Sequence, residues 1–210
     1  MQVTIIGSGN MAKGIGSRLL SGGHDVTLHA RDNDEANAIT SELQSAGVEG
    51  QITSVAIGSP ADDIVILATP YTEVQTIAKN YDNFKNKIVV DITNPVDFET
   101  FQLIPEAGRS GAQEIADSLP AATIVKAFNT NLAGALLAGS IEEKELDVFI
   151  AGDDEQAKAK VRELVNTSGM RAIDVGPLAN ARHLEGFGLI QMAIQDQIGT
   201  NWMSSLKFLG

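Results

Sequence analysis

Cysteine is absent from the 210 residues, which removes disulfides, thiolate metal sites and thiol nucleophiles together. Redox chemistry in this chain therefore has to come from a bound cofactor. No apolar run reaches about 18 residues, so no membrane-spanning helix is expected. Met1 to Gly9 holds neither a basic stretch nor a signal-type apolar region, and the expectation is a cytoplasmic protein. There is no Gly/Ser or Pro tract, no low-complexity run and no internal repeat. Positive charge is in deficit: 15 Lys and Arg stand against 27 Asp and Glu, a formal net charge of −12. Such a field repels phosphate backbones and anionic lipid, so neither nucleic acid nor membrane is expected as a partner, and any anion site must be local.

The three histidines, His24, His29 and His183, show no ligand spacing, and no metal is expected. His24 falls in a turn, where a solvated side chain is expected. Arg182-His183-Leu184-Glu185 opens a helix and reads as a surface or interface charge cluster, and Trp202 as a core or dimer anchor. No catalytic acid–base pair emerges.

What is present is the balance of a folded globule, 43% hydrophobic and 20% charged. Its length suits one generous domain or a core domain with a small appendage. Gln2 to Ile6 is a β-branched strand, and the glycines that follow open a segment with helical spacing at Met11, Ile15, Leu19 and Leu20. Gly22-Gly23 ends that helix, Asp25 to His29 is a second strand, and Asn33 to Ala46 is a surface helix. Ile52 to Ile57 is a weaker strand, and DIVILAT (63–69) is the near-continuous apolar run of a strand buried on both faces. Glu73 to Tyr81 reads as a helix and Lys87 to Ile92 as a strand. After a connection around Gly108 to Gly111 come strands at Thr123 to Phe128, Leu146 to Ala151 and Arg171 to Val175, with a helix over Glu155 to Asn166. Leu178 to Met203 is helical with interruptions and apolar on more than one face. The alternation predicts an α/β fold, a Rossmann-type, doubly wound, mostly parallel sheet.

Gly7-Ser8-Gly9-Asn10-Met11-Ala12 is a GxGxxA sequence lying between a strand and a helix. Gly7 permits the tight turn, Gly9 lets backbone approach a pyrophosphate, and Ala12 lets the helix pack close to the strand, its positive end toward phosphate. The second strand ends in His29-Ala30-Arg31-Asp32, without the carboxylate that usually meets the ribose hydroxyls of NAD. The guanidinium of Arg31 suits a 2′-phosphate, which favours NADPH over NADH; the alternative gives Asp32 the carboxylate role. Thr69-Pro70-Tyr71 and Asp91 to Pro95 sit at carboxyl ends of strands, where open α/β sheets bind ligands. Lys126-Ala127-Phe128-Asn129-Thr130 is a third such end, with Ala127 leaving room for a flat ring and Asn129 able to bond an amide.

Taken in order, IIGSGNMAKGIGSRLLSGGHDV, ILATPY, IVVDITNP, VKAFNT, VFIAGDDEQAKAKV, DVGPLANARHLE and a C-terminal NW resemble the family of NADPH-dependent reductases of the deazaflavin coenzyme F420. That family includes bacterial dinucleotide-binding oxidoreductases and the cytosolic domain of a group of animal metalloreductases. The resemblance implies a Rossmann domain over residues 1–125 and a C-terminal α/β extension with a dimerisation helix over 126–210. It further implies a homodimer and a cleft in which nicotinamide faces a flavin-like ring. By position, Gly7, Ser8, Gly9, Asn10 and Met11 would hold the pyrophosphate, Ala30 with Arg31 the 2′-phosphate, and Thr69, Pro70, Asn94, Pro95 and Ala127 the nicotinamide. Tyr71 joins the cofactor set and Asn129 the substrate. The family commonly has a hydroxyl residue where this chain has Ala30, and Ser8 or His29 is the replacement to look for. The expected activity is hydride transfer from NADPH to a flavin-like or deazaflavin acceptor. Two alternatives stay open: reduction of a small imine or carbonyl, since GNMA before a helix is also similar to pyrroline-carboxylate reductases, and an NADPH-sensing protein without turnover.

Overall fold

The computed structural model describes residues 1–80 and 84–209. Strand β1 (Gln2–Ile6) runs into α1 (Asn10–Ser21), and β2 (Asp25–Ala30), α2 (Asn33–Ser45) and β3 (Ile52–Ala56) complete the first half. Next come β4 (Ile64–Leu67), a 3-10 turn (Tyr71–Glu73), α3 (Val74–Asn80), β5 (Ile88–Asp91), a hairpin of β6 (Val96–Asp97) and β7 (Gln102–Leu103), α4 (Gly111–Ser118) and β8 (Thr123–Lys126). The remainder is α5 (Ala133–Ala138), a hairpin of β9 (Ser140–Ile141) and β10 (Lys144–Glu145), β11 (Asp147–Gly152), α6 (Glu155–Thr167), β12 (Arg171–Asp174), a 3-10 turn (Leu178–Asn180), α7 (Ala181–Ala193) and α8 (Gln195–Ile198).

One eight-stranded sheet has the order β12-β11-β8-β5-β4-β1-β2-β3. All neighbours are parallel except β11 against β8. The chain leaves β1 toward β2 and β3 and then returns to place β4 on the other side of β1, which makes a topological switch point at their carboxyl ends. The central strands are buried on both faces: Ile5 belongs with Leu19, Leu43 and Leu164 to one layer, and its neighbour Ile6 with Leu67, Val74 and Ile115 to the other.

Several elements differ from the sequence expectation. The stretch after Gly108 is not only a connection: Ser110 accepts from Gln113 N while the Gln113 side chain accepts from Ser110 N, a capping box that starts α4. The helix expected over Glu73 to Tyr81 begins instead as a 3-10 turn at Tyr71, and Tyr81 lies outside the described residues. The helical stretch expected to Met203 stops at Gly199, whose φ of 63° ends α8. The chain then crosses back to bridge Ser205 with Asn131.

Candidate functional site

At the β1–α1 turn Gly7 has φ 123°, and a Cβ there would stand 2.3 Å from Ala68 O. No other residue fits so close to the end of β4. Gly9 is the N-cap of α1, which has no side-chain cap and no acid in its first turn. A Cβ at Gly9 would meet nothing within 4 Å. The helix thus presents open N–H groups, and the positive end of its dipole, over vacant space, which fits a pyrophosphate.

That space is a cavity of about 580 Å³ bounded by Gly7, Ser8, Gly9, Ala30, Arg31, Asp32, Gly58, Thr69, Pro70 and Glu73. A second cavity, of about 850 Å³, shares Gly9, Ala68, Thr69 and Pro70 with it. Asn10, Met11, Tyr71, Thr93, Asn94, Asn129 and Asn131 line the second, together with an apolar side of Phe98, Ile104, Leu132, Leu137, Met192 and Trp202. The crevice therefore runs over the ends of β1, β4, β5 and β8, and brings together every expected site residue except two. Pro95 and Ala127 are buried behind the wall. Ala127 has no exposed surface and its N–H donates to Asp91 O, so it lies under the loop and leaves no room for a ring.

At the nucleotide end the Arg31 side chain is 72% exposed and stands 3.4 Å from Glu73 Oε2. Asp32 caps α2, its Oδ1 accepting from the N–H groups of Asp34 and Glu35, so its carboxylate is committed to the helix. Ser8 Oγ donates to Glu35 Oε2 at 2.7 Å.

Beneath the second cavity lies a charged cluster that the sequence did not disclose. Lys126 Nζ, fully buried, donates to Asp91 Oδ2 at 2.8 Å, Thr93 O at 2.6 Å and Glu185 Oε1 at 2.9 Å. Glu185 in turn accepts from Gly111 N and Ala112 N at the start of α4. Burial alone would depress the Lys126 ammonium, but Asp91 and Glu185 outweigh it and hold its pKa above the ordinary lysine value. Glu185 is thus no surface charge, although Arg182 and His183 beside it are exposed. It sits on the face of α7 that carries Ala181, Leu184, Gly188 and Gln191. A Cβ at Gly188 would come 2.5 Å from Asn94 Oδ1, so α7 packs directly on that side chain. Asn94 and Asn129 hold each other, Asn94 Nδ2 donating to Asn129 O at 2.8 Å and Asn129 Nδ2 to Asn94 Oδ1 at 2.9 Å, while Asn129 Nδ2 also reaches Leu184 O. Tyr71 donates to Glu114, and burial, followed by that bond, raises the phenol above its usual range.

Two further expectations are corrected. His24 is buried, its Nε2 2.8 Å from Thr167 Oγ1, with its pKa lowered chiefly by burial; the turn is covered by the end of α6. Of the two roles expected for Trp202, core or dimer anchor, the core one is corrected: it is 49% exposed and stands on the wall of the second cavity, because the chain after α8 folds back over α5. Among the described residues no group of His, Cys, Asp or Glu is placed to hold a metal.

Residues 2–95 match the family model for coenzyme F420-dependent NADP oxidoreductases. The F420-dependent NADP reductase of Methanocaldococcus jannaschii is 31% identical over 199 residues, covering 88% of each chain. The chain belongs to this family. Membership makes it an NADP-dependent oxidoreductase. The rat metalloreductase STEAP3 is also 31% identical, over 188 residues and 90% of the chain, which spans only 36% of that relative. Among solved structures, a putative F420-dependent NADP reductase from Arthrobacter superposes with a TM-score of 0.82 at 25% identity over 99% of both chains. A reductive aminase from Aspergillus terreus, at 16% identity and TM-score 0.65 over 95% of this chain and 63% of its own, shares the fold. No described helix is long and apolar enough to cross a membrane.

Proposed function

We propose that the protein transfers a hydride from NADPH to a flavin-like ring, flavin or deazaflavin, held in the second cavity. The observation that carries this reading is the shared wall at Gly9, Ala68, Thr69 and Pro70: a nucleotide cradle with an uncapped helix end opens directly into a larger cavity with an apolar side. Gly7 to Met11 would hold the pyrophosphate, Ala30 with Arg31 the 2′-phosphate, Thr69, Pro70, Tyr71 and Asn94 the nicotinamide, and Asn129 an amide of the acceptor, with Pro95 and Ala127 supporting the wall from behind. Bound NADPH supplies a hydride, two electrons and a proton, and a further proton from solvent completes the two-electron reduction of the acceptor, leaving NADP+. The work of this chain's residues is to bind, to orient and to exclude water, which this chemistry requires more than a strong acid or base.

Residues 1–125 would form the nucleotide-binding part and 126–210 the extension that closes the acceptor cavity. A cytoplasmic homodimer is part of the reading, built through Leu178 to Leu209, where Phe187, Ile190, Ile198, Phe208 and Leu209 are exposed. Sedimentation is expected to give a dimer at micromolar concentration, and a monomer would remove this element. The central test is stopped-flow absorbance of NADPH mixed with free flavin or deazaflavin. Oxidation faster than in buffer is expected. Silence toward both rings alongside oxidation by a small imine or ketone would transfer the assignment to an imine or carbonyl reductase, and binding without any turnover would make it a sensor.

A further inference from the structure

Thr69, Thr93, Asn129, Thr130 and Asn131 each keep a buried side-chain oxygen that no group of the chain bonds, and all five follow the carboxyl ends of β4, β5 or β8, at the crevice. Buried hydroxyls away from the crevice are paired: Thr4 Oγ1 donates to Asp62 Oδ2 at 2.9 Å and Ser168 Oγ to Leu164 O at 2.7 Å. An unpaired buried hydroxyl costs stability, so its presence at a crevice calls for a partner from outside the chain. Of the three unpaired threonines, Thr69 borders both cavities, Thr130 borders neither, and Thr93 borders the second alone. Thr93 is also held by its backbone on both sides: its N–H donates to Asp91 Oδ1 at 2.8 Å and its carbonyl accepts from Lys126 Nζ at 2.6 Å, both of them fully buried side chains. The residue is 5% exposed, and its β-branched side chain is stiff at χ1. The buried charged cluster thus fixes an unpaired hydroxyl at the wall of the second cavity.

Resting on the hydride-transfer reading, we propose that Thr93 is a catalytic contact to the acceptor, its hydroxyl donating to a carbonyl oxygen on the edge of the acceptor ring. The hydride brings two electrons and a proton to the ring from NADPH, leaving NADP+, and until a further proton arrives from solvent the added negative charge rests partly on the ring's carbonyl oxygens. A hydroxyl already aimed at such an oxygen gains strength as that charge develops, so its effect falls on the transition state more than on binding. Because Thr93 borders the second cavity and not the nucleotide cradle, the contact belongs to the acceptor and not to NADPH.

Thr93→Val exchanges the hydroxyl for a methyl group of similar size and keeps the β-branch, and Thr93→Ser keeps the hydroxyl. Without ligand, Thr93→Val is expected to unfold about 2–4 °C higher than the native protein, since it removes an unpaired buried group. With NADPH and either FMN or coenzyme F420 as acceptor, its kcat is expected to fall roughly five- to hundredfold, while NADPH affinity in calorimetry is unchanged and Thr93→Ser restores turnover. A purely structural role cannot give a gain in stability together with a loss of kcat. Trp202 is the only tryptophan and lines the cavity, so its fluorescence in the presence of NADP+ reports binding of each ring apart from turnover. Native turnover that Thr93→Val leaves unchanged overturns the inference while hydride transfer stands. Loss of NADPH affinity in Thr93→Val, or loss of stability, also overturns it, the first giving the hydroxyl to the cofactor and the second to the protein itself. A ring that the native protein binds without reducing, and that Thr93→Val but not Thr93→Ser binds more weakly, supports the contact and removes hydride transfer to that ring. Failure of both rings to bind the native protein overturns the contact.

Discussion

Replacing Lys126 with methionine keeps the length and apolar stem of the side chain but removes the one cation of the buried cluster. In the native protein Asp91 and Glu185 set two negative charges against one positive, and the surplus is met by the N–H groups of Gly111 and Ala112 at the start of α4. The variant would bury both carboxylates and the Thr93 carbonyl around a methionine. Breaking a buried ion pair from one side costs about 3–5 kcal/mol, against a total stability of about 5–15 kcal/mol, so urea unfolding at neutral pH should show a large drop in midpoint. The pH dependence has a definite sign. Because the folded pKa of Lys126 lies above its ordinary value, its contribution is complete at and below neutrality and is lost only as pH rises beyond about 10.4 toward the folded value. A Lys126→Met/Glu185→Gln double variant returns the cluster to one net negative charge and should recover part of the loss. A single-variant cost below about 1 kcal/mol, or a double variant no more stable than the single, would refute the reasoning.

Gly9→Val should leave the unfolding midpoint nearly unchanged, since a Cβ there meets no neighbour within 4 Å, yet weaken NADPH and NADH alike in calorimetry by filling the pyrophosphate space; unchanged affinity removes that site. Arg31→Ala should cost about 1–3 kcal/mol of NADPH binding and little of NADH, and equal losses would mean that Arg31 does not read the 2′-phosphate. Gly188→Ala forces a methyl to within 2.5 Å of Asn94 Oδ1 and should cost about 1–3 kcal/mol of stability while lowering kcat more than NADPH affinity. Asp147 is held at about 2, against its burial, by hydrogen bonds from Arg171, Lys207 and the Phe208 N–H. Its stabilisation is present above the ordinary carboxylate range and lost as pH falls through about 2, so Asp147→Asn should cost about 2 kcal/mol at neutral pH and flatten the acid limb of a circular-dichroism titration.

The nucleotide half was legible because its signals are local. Apolar runs mark strands buried on both faces, and the GxGxxA turn needs only its flanking strand and helix to be read; β1, α1, β2 and α2 fall within a residue of their expected limits. The second cavity was half legible: Asn94 and Asn129 follow strand ends, whereas Phe98 and Trp202 reach it only through a hairpin and a returning C-terminal segment, and Leu137 from α5. Buried charge was least legible of all. In sequence Lys126 and Glu185 look like any surface pair, and only a parallel sheet with α7 laid across its strand ends removes them from water together. His24 was misread for the same reason, since nothing near it in the chain announces that Thr167 will cover it. Ala127 was misplaced by one layer, because a small residue at a strand end is equally suited to touching a ligand and to letting a loop pack on top of it.

The three backbone and side-chain contacts that α7 makes with the strand ends decide what the C-terminal part contributes. Leu184 O accepts from Asn129, Glu185 joins Lys126 to the start of α4, and Gly188 lies against Asn94. All three lie on one helix face, so a rotation or slide of α7 would move the Asn94 and Asn129 wall as a unit. For hydride transfer, where a misplacement of roughly 1 Å can cost on the order of a hundredfold, that register matters more than any single polar group in the cavity. The same helix carries Phe187 and Ile190 outward. A partner subunit docked on them would bear on the wall of the second cavity through the body of the helix, so dimerisation and acceptor positioning should weaken together when α7 is perturbed, whereas Gly9→Val, which lies on the shared cavity wall and not on α7, should leave dimerisation intact.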